Sequence, residues 1–346
     1  MKFDFCIGNP PYQEENDKNG RQPPVYHLFM DSAYTVANKV ELITPARFLF
    51  DAGNTPSAWN KKMLDDSHLK VLHYEVNADK VFPNTNIVGG IVVTYHDQVK
   101  NFEKIGVFTP YVELNSIMAK VSSLMSESLE SVVSVRGNYR LTDLFFEDFN
   151  NVSSRLGSGT GNMFVSNIFE KIPEAFFDNP IPKKPCLRVL GRLGSSRVYK
   201  YIERKYIIEN DYIDTYNVLL SKADGAAGNI GVPVPARIIG KAVVSNLGEC
   251  GTDTFISIGK FKSQIESVNL VKYLQTKFAR AVLGIKKVTQ DNSRSVWQFV
   301  PKENFSNKSD IDWSKSIKEI DQQLYKKYQL SKKETQFIET YIKEIA

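Results

Sequence analysis

The spacing of apolar and polar positions divides the chain into a regular first part and a longer, less regular remainder. Phe3, Phe5, Cys6 and Ile7 form a short apolar run that predicts a buried strand, ended by the turn formers Gly8 and Asn9. Residues 25–38 place Val25, Leu28, Phe29, Ala33, Tyr34 and Val36 at helical spacing. VELIT predicts a buried strand ending at Pro45, and SAWNKKMLDD predicts a helix. KVLHYEVNADKVF and GGIVVTYHD predict strands around a loop at 84–86. Strands alternating with helices over residues 1–100 predict a parallel-type α/β sheet.

Beyond residue 100 the pattern changes. NSIMAKVSSLMSESLESVVS predicts a Ser-rich helical connector within 101–135. Over 136–305 the short β-like runs RVLGR, RVYKYIERKYII, TYNVLLSKA, ARIIGKAVVSN and TDTFISIGKF are separated by Gly, Pro and Asn, the pattern of a mixed α+β domain. Inside it, ESVNLVKYLQTKFARAVLGIKK predicts one helix with Val268, Val271, Leu274, Phe278 and Val282 on a stripe. Two helices close the chain over 306–346, the second opened by a capping box from Ser331 to Glu334. No internal repeat is visible.

The first strand runs directly into Asn9-Pro10-Pro11-Tyr12. Both prolines fix φ and lack an N–H, and Pro10 pushes Asn9 away from the helical region. The carbonyls of Asn9 and Pro10 therefore have no ladder to join. Such a corner is either an ordinary Pro-Pro turn or a rigid holder for a ligand amino group. A cofactor loop would need a hydrophobic strand before a glycine-rich turn. LGSGTGN at 156–162 follows the polar EDFNNVSSR and predicts a loop instead. VLGRLGSS at 189–196 is too basic and lacks a later acidic partner.

NPPY after an apolar strand resembles the catalytic motif of N6-adenine DNA methyltransferases. VYHLFMDSAYTVANKVELITPARFLFDAG resembles the helix, strand and TPxxF turn that follow NPPY in the TaqI-like gamma class, and KVFPNTNIVGGIVVTYHD resembles that class's later phenylalanine loop and strand. The resemblance covers roughly residues 1–98 in order. It implies a partial Rossmann-like methyltransferase sheet, followed by a target-recognition domain of the restriction–modification type (type II/IIG-like). It also implies roles: the Asn9 side-chain oxygen and the Pro10 carbonyl accept hydrogen bonds from the adenine amino group, Pro11 stiffens the turn, and Tyr12 and Phe82 stack on a base taken out of the duplex. Asn84 and Thr85 would line the pocket, and Asp4 is a strand-edge residue. S-adenosylmethionine is the implied cofactor, touched through Asn9 and Pro10, and double-stranded DNA the implied partner. The cofactor-binding strand and glycine-rich turn are missing from the sequence. A second chain or an upstream segment would supply them, and the isolated chain is expected to be inactive. A catalytic portion that begins just before its motif, a DNA-binding specificity module without activity of its own, and a degenerate reading frame stay open on the sequence.

Composition adds limits. A length of 346 residues suits two or three domains, and the 42% hydrophobic content is ordinary. No run of 18 apolar residues predicts a membrane span. Cys6, Cys186 and Cys250 are few and scattered, which suits a reducing cytoplasm, and neither they nor the four histidines have metal-ligand spacing. Charge is uneven: residues 1–100 hold 10 Lys and Arg against 12 Asp and Glu, so the net +5 of the chain leaves +7 on the remainder. Residues 181–205 hold eight basic residues against Glu203, and 271–300 hold six against Asp291. This asymmetry points to a polyanion partner for the later region or to a solvated basic surface. Candidate DNA contacts are Lys183, Lys184, Arg188, Arg192, Arg197, Lys222, Lys286 and Lys287 for phosphates, with Gln290, Asn292 and Arg294 for base edges.

Overall fold

The computed structural model describes residues 2–14, 22–50, 54–83, 85, 87, 89–102, 104–157, 159–225, 230, 234–287 and 289–345. Contacts divide the chain into two units, Met1–Tyr111 and Val112–Ala346. The division falls inside the predicted connector of 101–135, and the helix of that segment belongs to the second unit.

The first unit runs β1 (Phe3–Gly8), α1 (Tyr26–Val36), β2 (Ala37–Pro45), α2 (Ser57–Asp65), β3 (Leu69–Glu75) and β4 (Ile91–Asp97). Its sheet has the order β1-β2-β4-β3. β1 and β2 are parallel, with Phe5 opposite Lys39 and Gly8 opposite Leu42. β4 is antiparallel to both of its neighbours, so the sheet is mixed rather than of the predicted parallel type. For β3 and β4 the reason is the connection: among the described residues of 76–90 there is no crossover helix, and a return without one gives an antiparallel neighbour. α1 buries Tyr26, Met30 and Ala33, spaced four and three residues apart, against Val40, Leu42, Leu69 and Val92 of the sheet and Trp59 and Met63 of α2.

β1 is a strand, as its apolar run predicts, but it is not buried. Phe3, Phe5 and Ile7 are 70, 62 and 76% exposed. The strand lies at the sheet edge with a single neighbour, and among its apolar residues only Cys6 packs on the core.

The second unit holds α3 (Val112–Leu124), the short helices α4 (Asp143–Asp148), α5 (Val152–Leu156) and α6 (Ile168–Lys171), and two three-stranded sheets. One sheet, in the order β6-β5-β9, is built from β5 (Cys186–Leu193), β6 (Ser196–Glu203) and β9 (Glu249–Gly251). The other, in the order β10-β7-β8, is built from β7 (Tyr216–Ser221), β8 (Val243–Ser245) and β10 (Phe255–Phe261). Of ARIIGKAVVSN only Val243–Ser245 pairs as a strand. The stretch 264–286 is two helices, α7 (Gln264–Gln275) and α8 (Lys277–Lys286), instead of the one predicted. Thr276 breaks them in extended geometry, and its hydroxyl accepts the Ala279 N–H at 3.1 Å. Asp321 accepts the N–H groups of Lys277 and Phe278 at 3.0 and 2.9 Å, which satisfies the new helix start. α9 (Ile317–Lys327) and α10 (Lys332–Tyr341) each open on a capping box, the second at Ser331–Glu334. Among the described residues no helix is long and apolar enough to cross a membrane, and no group of His, Cys, Asp or Glu could hold a metal ion.

Candidate functional site

Asn9 to Tyr12 leave the carboxyl end of β1, where its pairing with β2 stops at Gly8. Asn9 is exposed, and among the described residues nothing donates a hydrogen bond to its side chain or to the Pro10 carbonyl. The prolines fix the backbone that carries the Pro10 carbonyl, and among the described residues both oxygens are free to accept from a ligand. Beyond them the chain turns back: the Val25 N–H donates to the Tyr12 carbonyl and the Glu14 N–H to the Pro23 carbonyl, both at 3.0 Å. This ribbon fixes Tyr12, whose hydroxyl reaches the Ile43 carbonyl at 3.5 Å. Half-buried, the phenol is pushed up to about 12 by burial.

Phe82 comes to the same place from a different element. Its N–H donates to the Ala78 carbonyl at 2.8 Å, and its own carbonyl accepts the Thr85 hydroxyl at 2.7 Å. Asp79 accepts the Thr85 N–H at 3.1 Å. Thr85, predicted to line a pocket, thus braces the turn that carries Phe82. The far end of this loop is pinned by Gly90, at φ +79°, where a Cβ would lie 2.4 Å from the Glu75 carbonyl oxygen. Only glycine permits that approach, which lets the Gly90 carbonyl accept the Ala46 N–H at 3.0 Å. The result is an edge-to-face pair, Tyr12 and Phe82, with ring centroids 6.4 Å apart and planes at 72°. A cavity of about 120 Å³ opens beside Tyr12, walled by Gln13, Tyr26, Arg47, Thr55 and Ile87 among others. Gln13 and Arg47 are polar neighbours of the corner that the motif reading did not single out. Asn84 lies outside the described residues.

The predicted DNA contacts of the second unit have varied fates. Lys183 and Arg192 are exposed and carry no ion pair among the described residues, and Arg192 donates to the Gly194 carbonyl at 3.3 Å. Lys184 pairs with Glu203 at 2.8 Å. Arg188 pairs with Glu249 at 2.8 Å and covers the Tyr199 ring at 3.7 Å. Arg197 donates to the Lys241 carbonyl and the Ser221 hydroxyl. Lys222 is ion-paired with Asp253, and Lys286 donates to the Gln298 side chain at 2.6 Å. Lys287 is 1% exposed and donates to the Asp224 and Thr289 carbonyls. Burial holds its ammonium down to about 8, and no DNA phosphate can reach it. Asn292 is likewise buried and donates to the Ser221 carbonyl, so it reads no base edge. Gln290 and Arg294 remain exposed.

The glycine run at 156–162 follows the five-residue helix α5, not a strand, and Lys171 donates to the Leu156 carbonyl at 2.6 Å. Among the described residues no strand feeds a glycine-rich turn that opens a helix.

Comparison with known proteins gives three findings. Residues 1–82 match the family model of the Eco57I restriction-modification methylase. A stretch of 96 residues, 26% of this chain, is 32% identical to an uncharacterized adenine-specific methylase of Mycoplasma pneumoniae, of which it spans 22%. The crystal structure of the type IIG restriction endonuclease BpuSI aligns with a TM-score of 0.30 at 10% identity, covering 87% of this chain and 44% of that one. The chain thus spans less than half the length of each of these two proteins.

Proposed function

We propose, from the match of residues 1–82 to a restriction-modification methylase, that this chain supplies the catalytic corner and the target recognition of a DNA adenine-N6 methyltransferase acting in the cytoplasm. The observation that carries the reading is the convergence of Tyr12 and Phe82 beside the open oxygens of Asn9 and Pro10. The N6 lone pair of adenine is delocalised into the ring, so the amino group is a poor nucleophile. Two acceptors that take its N–H bonds draw the nitrogen toward tetrahedral geometry and concentrate the lone pair. Tyr12 and Phe82 supply stacking for a base outside the duplex, worth about 1–3 kcal/mol per base, which offsets part of the cost of extrusion.

The residues present do not make a complete S-adenosylmethionine site. Asn9 and Pro10 suit its methionine end, but the described residues offer no pocket for its adenosine. The unpaired edge of β1 and the exposed Phe3, Phe5 and Ile7 fit a sheet that continues into further strands, on another chain or segment, which hold the cofactor. The test is to count N6-methyladenine by mass spectrometry in the DNA of a host without adenine methylation, expressing the chain together with the cofactor-binding half of an adenine methyltransferase. Wild type should methylate, and Asn9→Ala should lower the rate by about 10²–10³-fold, the cost of removing one such preorganised group. Methylation that survives Asn9→Ala undiminished would overturn the reading.

A further inference from the structure

A cleft of about 560 Å³ lies within the second unit and is lined by none of the residues discussed for catalysis. Three segments frame it, and each is locked by backbone pairing. Residues 133–134 are zipped onto β10: Val133 bridges Ile258, the Ser134 N–H donates to the Ser257 carbonyl at 2.8 Å, and the Ser257 N–H donates to the Ser134 hydroxyl at 2.9 Å. Lys222 follows β7 and donates its N–H to the Thr254 carbonyl at 2.9 Å. The Asn292 N–H donates to the Lys222 carbonyl at 2.7 Å, and Ala223 bridges Asp291. The framework is therefore rigid where its side chains project, as a site that discriminates ligands requires.

The chemistry of the lining is mixed. Val135 and Ile256 give an apolar floor, while Arg136, Arg294 and Asp291 line the same space. Lys222 and Arg136 both turn to the buried Asp253 carboxylate, Arg136 at a loose 3.5 Å with its side chain 71% exposed. Arg294 is exposed; its Nε donates to the Glu130 carbonyl at 2.9 Å, and no carboxylate pairs with its terminal nitrogens among the described residues. Asp291 is exposed and forms no ion pair among the described residues. The acidic groups Asp253, Asp291 and Glu130 balance Lys222, Arg136 and Arg294, so the cleft has no surplus charge with which to hold a phosphate. What it offers is a guanidinium fork beside a carboxylate over an apolar floor. A guanidinium fork matches guanine O6 and N7 in the major groove, and a carboxylate accepts from cytosine N4.

We infer that this cleft reads a G·C base pair of the DNA target, with Arg294 donating to the guanine and Asp291 accepting from the cytosine. The inference rests on the proposal that the second unit recognises DNA, and it goes further by naming the base pair and its readers. Arg136, held only at one side by Asp253, is the second donor available to the guanine edge.

The experiment is selection of duplexes from a randomised library by the full chain, followed by affinity measurements against salt for the selected sequence. Wild type is expected to enrich a motif with an invariant G·C position. Arg294→Ala should make that position degenerate and lower affinity for the motif by roughly 5- to 150-fold, with the salt slope unchanged. Asp291→Asn should weaken the preference for cytosine on the same pair, and Lys315→Ala, at an exposed residue paired with Asp312, should leave the motif as it is. A motif unchanged by Arg294→Ala overturns the cleft assignment alone, as does a salt slope that falls by about 0.9 with the motif intact, the mark of a phosphate contact. Failure of the wild-type chain to enrich any sequence overturns the recognition reading along with it. Circular dichroism on each variant keeps a folding defect from passing as a loss of specificity.

Discussion

The two units treat their conspicuous side chains in opposite ways. The first leaves one edge of β1 unpaired, its apolar side chains exposed and, among the described residues, the oxygens of Asn9 and Pro10 without partners, although its charge is nearly balanced. The second is basic by sequence, yet it spends much of that charge on itself. Lys184, Arg188, Lys200, Arg204 and Lys205 of the 181–205 segment all meet carboxylates. Arg280 and Lys287 are buried against backbone carbonyls. Unsatisfied chemistry, rather than residue type, marks a working surface. An apolar run that stays exposed asks for more sheet, and a basic residue that is already paired asks for nothing.

Three measurements sharpen or break this contrast. The largest effect concerns the internal pairing of the second unit. Glu334 of the capping box lies 2.7 Å from the Lys120 ammonium. Burial alone would raise its carboxyl, but the Lys120 and Ser331 hydrogen bonds outweigh it and hold the group down at about 2. A depressed carboxyl adds stability that is present above about pH 4.5 and is lost as the pH falls toward 2. Wild type should therefore exceed Glu334→Gln by about 3 kcal/mol in urea unfolding at pH 6, with the gap closing near pH 2. A gap independent of pH would show that the pairing contributes nothing.

The next effect belongs to the first unit. Single-stranded dA oligomers should bind the chain more tightly than the same oligomers with an abasic site. Tyr12→Ala or Phe82→Ala should remove about 1–3 kcal/mol of that difference, read by fluorescence anisotropy. An undiminished preference for the base in both variants would detach the aromatic pair from base binding. The smallest effect is on β1. Because Ile7 is 76% exposed, Ile7→Lys should change unfolding stability by no more than about 0.5 kcal/mol while reducing self-association in sedimentation. A loss of several kcal/mol would mean that the strand is buried after all.

How much of this was legible in the sequence differs from residue to residue. The corner at Asn9 was readable because two prolines forbid either a continuing strand or a helix, whatever surrounds them. The Ser331–Glu334 box was readable because its cause lies within one helix, whereas the stripe predicted for α1 was not: Leu28, Phe29 and Val36 are exposed, and Tyr26 and Met30 are buried with Ala33 instead. What failed depended on distant partners. Whether β1 is central or at an edge is decided by its neighbours, and an alternating apolar run looks the same in both places. The break at Thr276 interrupts an apolar stripe that continues through it, and the break is stabilised by Asp321, forty-five residues away. Lys287 looked like a surface cation because carbonyls that fold around it from other elements leave no local trace. Arg136, which lines the cleft of the second unit, stands alone at the first position of the predicted mixed domain, outside the two basic clusters that drew attention.

The measurement that bears most directly on the catalytic corner is a crystal structure of the chain with a short adenine-containing oligonucleotide. The account predicts an extrahelical adenine against Tyr12 and Phe82, with its N6 at about 3 Å from both the Asn9 side-chain oxygen and the Pro10 carbonyl oxygen. An adenine bound elsewhere, with those two oxygens still facing solvent, would contradict it.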